Sequence, residues 1–295
     1  MYVPFVLVNR YEQGGGAMIV VGTDGSRAGL RAVEWAAREA MLHRVTLRVV
    51  HAMPAWAHGM REEGRYAEVG RWMRDNAAAV VSEAVTAAHA AEPEADVSSA
   101  VVPGDPRSAL IEASRDAELL VVGNHGLGGF RGLLVGSAAL GVAAHAACDV
   151  AVVRELPSPV RREVVAAVDG SPRSDAVLAR AFAEADLRGA GLHIVHARAR
   201  GGPARSGEDR IARMLSEITA GWRERYPDLK PVERVVTGHP VDVLRDACAD
   251  AELLVVGSHG YGDFRALVLG SVSHAMLHHA PCPVIVTRAR TNGTS

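Results

Sequence analysis

The stretch DAELLVVGNHG, Asp116 to Gly126, returns as DAELLVVGSHG, Asp250 to Gly260, with ten of the eleven positions identical. In both, an unbroken apolar run ends in a glycine turn. A run with no polar alternation reads as a strand buried on both faces, as in a parallel sheet covered by helices. The repetition continues outward. MIVVGTDGSRAG (Met18–Gly29) matches VVAAVDGSPRSD (Val164–Asp175), with Asp24 aligned to Asp169 at an offset of 145, and Val50-His51-Ala52 matches Val195-His196-Ala197 at the same offset. VVPGDP (Val101–Pro106) matches VVTGHP (Val235–Pro240), and Gly123 and Ser137 match Gly257 and Ser271, at an offset of 134. The difference, 145 − 134 = 11, places about eleven extra residues of the first copy within Ala52–Tyr66. The period is too long for a solenoid and predicts two tandem domains.

Within each copy, strand-like and helix-like patterns alternate. IVVGT, TLRVVHA, VSSAVV, ELLVVG and VAVVR read as strands of the first half; RAGLRAVEWAAREAMLH, WMRDNAAAVVSEAVTAAHAA, SALIEASRD and SAALGVAAHAA read as the intervening helices. The expected fold is therefore α/β: two tandem, open-twisted, five-stranded parallel sheets of order 3-2-1-4-5, with helices on both faces. We expect a tail over 1–17, domains over 18–154 and 163–288, a proline-bearing joint ELPSPVRR over 155–162, and a C-terminal tail over 289–295. The last strands, VAVVR and VIVTR, would be exposed sheet edges, and pairing them antiparallel would join the halves about a pseudo-twofold.

In that strand order the winding reverses between the first and fourth strands, where doubly wound sheets bind ligands. Asp24-Gly25-Ser26 leaves the first strand and Gly123-Asn124-His125-Gly126 the fourth, so the two turns face one crevice. After the fourth strand the chain reads GNHGLGGFRGLLVGS (Gly123–Ser137) and, in the second copy, GSHGYGDFRALVLGS (Gly257–Ser271). Both fit G-x2-G-x9-G-S. Glycines without a Cβ let main-chain N–H groups converge on an anion, and Gly-Ser opening a helix adds free amides and the positive dipole end.

These motifs, with the closing His-Ala-x-Cys segment, resemble the universal stress protein family, nucleotide-binding subgroup, over nearly all of Met18 to Arg288. The resemblance implies an adenine nucleotide alpha hydrolase-like fold and ATP, with Mg2+, as ligand. It implies that Asp24 with Gly25, and Asp169 with Gly170, meet the nucleoside end, and that the backbone at Ala52 and Ala197 meets adenine. Phosphates would lie on Gly123, Gly126, Gly136 and Ser137 in the first site, and on Gly257, Gly260, Gly270, Ser271 and Ser273 in the second. Ala138-Ala139 stand where the second copy has Val272-Ser273, and Ala147-Cys148-Asp149 where it has Pro281-Cys282-Pro283. We therefore expect tighter binding at the second site.

Other readings stay open. Asp24 and Asp169 suit a turn or helix cap as well as a ligand contact. Arg131 and Arg265 could touch phosphate or anchor their loop. Trp56, His58 and Trp72 could form a lid or an ordinary surface loop. The paired histidines, His51, His125 and His145 with His196, His259 and His279, lack close metal-ligand spacing, so no metal set is expected, and Cys148 and Cys282 suit packing. His145 and His279 suit helix C-termini.

Composition narrows the function classes. A formal net charge of −2 gives no footprint for nucleic acid or an anionic membrane, and no apolar run is long enough to span a bilayer. Three cysteines without CxxC spacing suit a reducing, cytoplasmic compartment. There is one lysine, Lys230, and no GxxxxGK[ST], so phosphate would be held by main-chain amides. A slow or non-hydrolysing ATP-binding regulator, dimeric and acting on a protein partner, is the leading expectation. The alternatives are an ATPase or phosphotransferase, and a flavin domain, against which the 4% aromatic content argues.

Overall fold

The computed structural model describes residues 17–60, 66–126, 135–155, 160–198, 204–259 and 269–288. The first half runs β1 (Met18–Gly22), α1 (Arg27–His43), β2 (Thr46–Met53), the short α2 (Ala55–His58), α3 (Ala67–Ala91), β3 (Val97–Pro103), α4 (Pro106–Ala113), β4 (Leu119–Gly123), α5 (Ser137–His145) and β5 (Asp149–Val153). The second runs β6 (Arg161–Ala167), α6 (Ser174–Arg188), β7 (Gly191–Arg198), α7 (Ala204–Arg225), β8 (Val232–Thr237), α8 (Pro240–Ala247), β9 (Ala251–Gly257), α9 (Ser271–His279) and β10 (Val284–Thr287). Apart from α2 and a 3-10 turn over Ser114–Asp116 before β4, the order is the same in both. Arg161 and Arg162 of the proline-bearing joint already belong to β6, which pairs with β9 through a register shift between Arg161 and Val164.

The strands form one sheet of order β3-β2-β1-β4-β5-β10-β9-β6-β7-β8. Each half has the expected 3-2-1-4-5 order with parallel pairing, and the halves join where β10 meets β5 antiparallel, Ile285 opposite Ala151. That contact removes both last strands as open edges, the usual hazard of an apolar strand with unpaired amides.

Alternate residues of each central strand enter opposite cores. Ile19, Val21, Leu119, Val121, Ala151, Val164, Leu253, Val255 and Ile285 face the layer of α1, α3, α6 and α7. Val20, Leu120, Val122, Val150, Val152, Val165, Leu254, Val256, Val284 and Val286 face the layer of α4, α5, α8 and α9. Each core runs unbroken through both halves, so the period-two pleat turns a wholly apolar strand into two half-faces.

The extra segment of the first half continues β2 and adds α2. Ala57 and Met53 pack with Ala77 in a small satellite cluster. Trp56 and Trp72 are 59% and 69% exposed, as on an ordinary surface rather than a closed lid. No helix among the described residues is long and apolar enough to cross a membrane.

Candidate functional site

The sheet topology brings the turns after β6 and β9 to one crevice at the carboxyl ends of the strands, and those after β1 and β4 to its counterpart. Each first turn is built by its aspartate. The Asp24 carboxylate accepts from Ser26 N at 3.0 Å, and Asp169 accepts from Ser171 N at 2.9 Å. These Asx turns carry the chain through Gly25 (φ 79°) and Gly170 (φ 81°), left-handed positions that glycine takes without Cβ strain. The Ser26 hydroxyl then caps α1 by accepting from Gly29 N at 3.1 Å. In the second copy Ser174 Oγ donates to Asp169 at 3.1 Å and accepts from Gly170 N at 3.1 Å.

The histidine of each Val-His-Ala holds the neighbouring wall. His51 Nδ1 lies 2.8 Å from the Thr23 carbonyl, and His196 Nδ1 lies 3.1 Å from that of Val168. A ring donating from Nδ1, for which a neutral imidazole suffices, ties the end of β2 or β7 to the exit of the first strand, with Ala52 or Ala197 next in line. Burial pushes the His196 pKa below 6.5, favouring that neutral form. This pinning role was readable only as a recurring tripeptide.

The glycines of the fourth-strand turn serve close approach. A Cβ on Gly123 would lie 2.6 Å from the Ala28 carbonyl oxygen at the start of α1, and one on Gly126 would lie 2.5 Å from Asp24 Oδ2. Gly257 has more room, its nearest atom being 3.3 Å away. Gly136 and Gly270 cap α5 and α9 with ordinary φ of −71° and −63°. Their amides donate to Asn124 O (2.8 Å) and Ser258 O (2.7 Å), closing each loop at its base. Ser137 and Ser271 begin the helices. The buried Ser273 donates its hydroxyl to the Gly257 carbonyl, a structural use of the group that distinguishes the copies. Gly260, Arg131 and Arg265 lie outside the described residues.

The second crevice encloses a cavity of about 450 Å³, within the usual range for small-molecule sites. Of the expected residues it gathers Asp169, Ala197, Gly257, Gly270, Ser271 and Ser273. Val168, Val177, Val195, Leu244 and Val256 supply apolar wall, and His259 and Arg173 polar rim. Arg173, the residue before α6, was missed in the sequence because its counterpart at the 145 offset is Ala28. The N-termini of α6 and α9 both open on this cavity, so two positive dipole ends and a guanidinium share it.

Cys148 and Cys282 pack as expected. Burial raises the Cys148 pKa to about 12, and a hydrogen bond with Cys248 together with burial raises Cys282, so neither is a reactive thiolate. His145 and His279 both lie in the last turns of their helices, α5 and α9.

Two doubly wound units with a crevice at each switch point define a tandem-domain α/β protein. The model of the "Universal stress protein family" matches residues 18–154 and again 161–288. The chain is 36% identical over 285 residues to universal stress protein Rv2005c of Mycobacterium tuberculosis, covering 92% of this chain and 96% of that one. It is 36% identical over 303 residues to Rv1996 of the same organism, covering 92% and 94%. A crystal structure of a universal stress protein from Archaeoglobus fulgidus has the same fold, with a TM-score of 0.69 at 21% identity and coverage of 92% and 96%. The chain belongs to the universal stress protein family.

Proposed function

We propose that the chain binds an adenine nucleotide in each domain, 18–154 and 163–288, and acts as an ATP-responsive regulator that turns nucleotide over slowly or not at all. The observation that carries this reading is the second cavity: an apolar wall wide enough for a base, and beyond it two helix N-termini and Arg173, which suit a polyanion. Ala197 stands on the apolar side. Gly257, Gly270 and Ser271 stand on the phosphate side, where a divalent ion such as Mg2+ would accompany the triphosphate. In the first site Asp24, Gly25, Ala52, Gly123, Gly126, Gly136 and Ser137 hold the same places.

The second site is the tighter one in this reading, for a reason different from the extra hydroxyl. Arg173 adds a permanent cation that the first copy lacks, and the Asp24 carboxylate lies hard against Gly126 in the first crevice. The regulatory reading is favoured over an ATPase because the carboxylate of Asp169, the acidic residue among the described ones that line the cavity, is committed to its turn, Oδ1 accepting from Ser171 N and Ser174 Oγ. A general base needs a free lone pair aimed at water.

The test is mass spectrometry of small molecules released from freshly purified full-length protein, followed by calorimetric titration with ATP and Mg2+. Bound or titratable adenine nucleotide is expected. Arg173→Ala should weaken the tighter site about tenfold, as loss of a charge-assisted contact does. Absence of any binding at millimolar ATP would overturn the proposal.

A further inference from the structure

A second polar cluster lies far from either crevice, where the two halves meet. Glu39 of α1 and Glu184 of α6 are repeat equivalents at the 145 offset, and both are buried. Arg188 lies between them, donating to Glu39 Oε1 through Nη2 and to Glu184 Oε2 through Nη1. The same offset relates Arg188 to His43. The glutamate pair thus has two cation positions. One holds a permanent guanidinium and the other faces an imidazole.

The remaining oxygens converge on that imidazole. Glu184 Oε1 lies 3.3 Å and Glu39 Oε2 3.8 Å from His43 Nε2, while Glu118 Oε1 stands 3.5 Å from Nδ1. Glu39 Oε2 and Glu118 Oε1 are buried and have no hydrogen-bond partner among the described residues. Among the described residues, the carboxylates of Glu39, Glu184 and Glu252 pair with the guanidinium groups of Arg180 and Arg188, and that of Glu118 faces His43. A buried, uncompensated carboxylate oxygen is costly, and a cation in the second position would relieve it.

We propose that this cluster binds one divalent transition-metal ion of the zinc type, ligated by Glu39 Oε2, His43 Nε2 and Glu184 Oε1. The three ligand atoms lie within 4.8 Å of one another. Bonds of about 2.0–2.2 Å at tetrahedral angles hold ligand atoms about 3.3–3.6 Å apart, so small side-chain adjustments close the set, with water as fourth ligand. Glu39 and His43 are four residues apart on α1 and share a face. Glu118 behind Nδ1 supplies the carboxylate–histidine–metal arrangement that orients a ligating ring. Arg180 Nε, 2.7 Å from Glu184 Oε1, remains as an outer partner of that carboxylate. An imidazole nitrogen and few protein ligands select a zinc-type ion over magnesium or calcium, which take oxygen sets. The His43, Glu118 and Glu252 side chains are 13%, 22% and 28% exposed, which gives an ion a way in. Once bound, it would cross-link α1 of the first half to α6 of the second. His43 and Glu184 are 141 residues apart, so no local spacing reveals the set.

The test uses the full chain stripped with a chelator, titrated with Zn2+ by calorimetry and with Co2+ by visible absorption. One Zn2+ per chain, a raised melting temperature and Co2+ d–d bands are expected. His43→Gln should lower Zn2+ affinity at least about tenfold, and Glu118→Gln about tenfold to a hundredfold, with both variants folded by circular dichroism. His274→Gln, which breaks up the His274–His278 pair on α9 with rings 4.9 Å apart, should change nothing. No saturable Zn2+ binding, binding unchanged in His43→Gln, or binding lost in His274→Gln would each overturn the proposal.

Discussion

Arg154 and Arg288 stand at equivalent ends of β5 and β10, and each caps a helix of the opposite half. Arg154 donates to the carbonyls of Leu277, His278 and Ala280 at the end of α9, and Arg288 donates to Ala143 O near the end of α5. Leu277 and Ala143 are themselves equivalent at the 134 offset, so the exchange follows the pseudo-twofold. Cationic donors suit the negative ends of helices, and here they also tie the halves together.

Replacing Arg154 by methionine keeps the stem but leaves part-buried carbonyls without a donor. A loss of about 2–3 kcal/mol of unfolding free energy is expected by urea titration, since hydrogen bonds from charged groups contribute about 1.5–3 kcal/mol each and these share one group. A change under 0.5 kcal/mol would show the caps to be incidental.

Ser273→Ala removes the bond to the Gly257 carbonyl. Stability should fall by about 1 kcal/mol, while ATP affinity stays within about twofold, because the hydroxyl proton is engaged in the scaffold. Calorimetric titration and thermal melting on one preparation separate the two effects.

Arg44 follows α1 with φ 56°, the left-handed position that Gly189 fills after α6. A side chain there costs about 1 kcal/mol that glycine avoids. Arg44→Gly should therefore stabilise the chain by that order, read as a higher urea midpoint. Gly189→Ala should do the reverse.

Acid should weaken the fold through His196. Its folded pKa is lowered by burial from the ordinary 6.5, so below that value the unfolded chain binds more protons than the folded one. The stability this represents is complete above about pH 6.5 and is lost as pH falls through the folded pKa. His196→Asn should reduce the decline in melting temperature between about pH 7 and pH 5. It should not abolish it, because burial lowers His278 as well. Parallel pH profiles of the two proteins would contradict this.

Much of the fold was legible in the chain because its determinants are local. The apolar run of DAELLVVG, the Asp-Gly-Ser turn and the duplicated spacing each act through neighbours a few residues away, and duplication leaves one unit's topology to work out instead of two. Strand order, both crevices and the antiparallel seam between VAVVR and VIVTR followed from them. The glycine turn was legible as a close approach, although what approaches Gly123 and Gly126, the Ala28 carbonyl and the Asp24 carboxylate, was not.

The amino-acid sequence alone determined the family, the doubled α/β plan and the turns that line the crevices, since periodicity and turn chemistry are properties of short segments. Tertiary structure alone decided that Arg173 reaches the second cavity, that Arg154 and Arg288 exchange helix caps, and that Glu39, His43 and Glu184 converge. Those groups meet only after more than a hundred residues of sheet have been wound between some of them, and charge and hydrogen bonding depend on distance in space rather than along the chain.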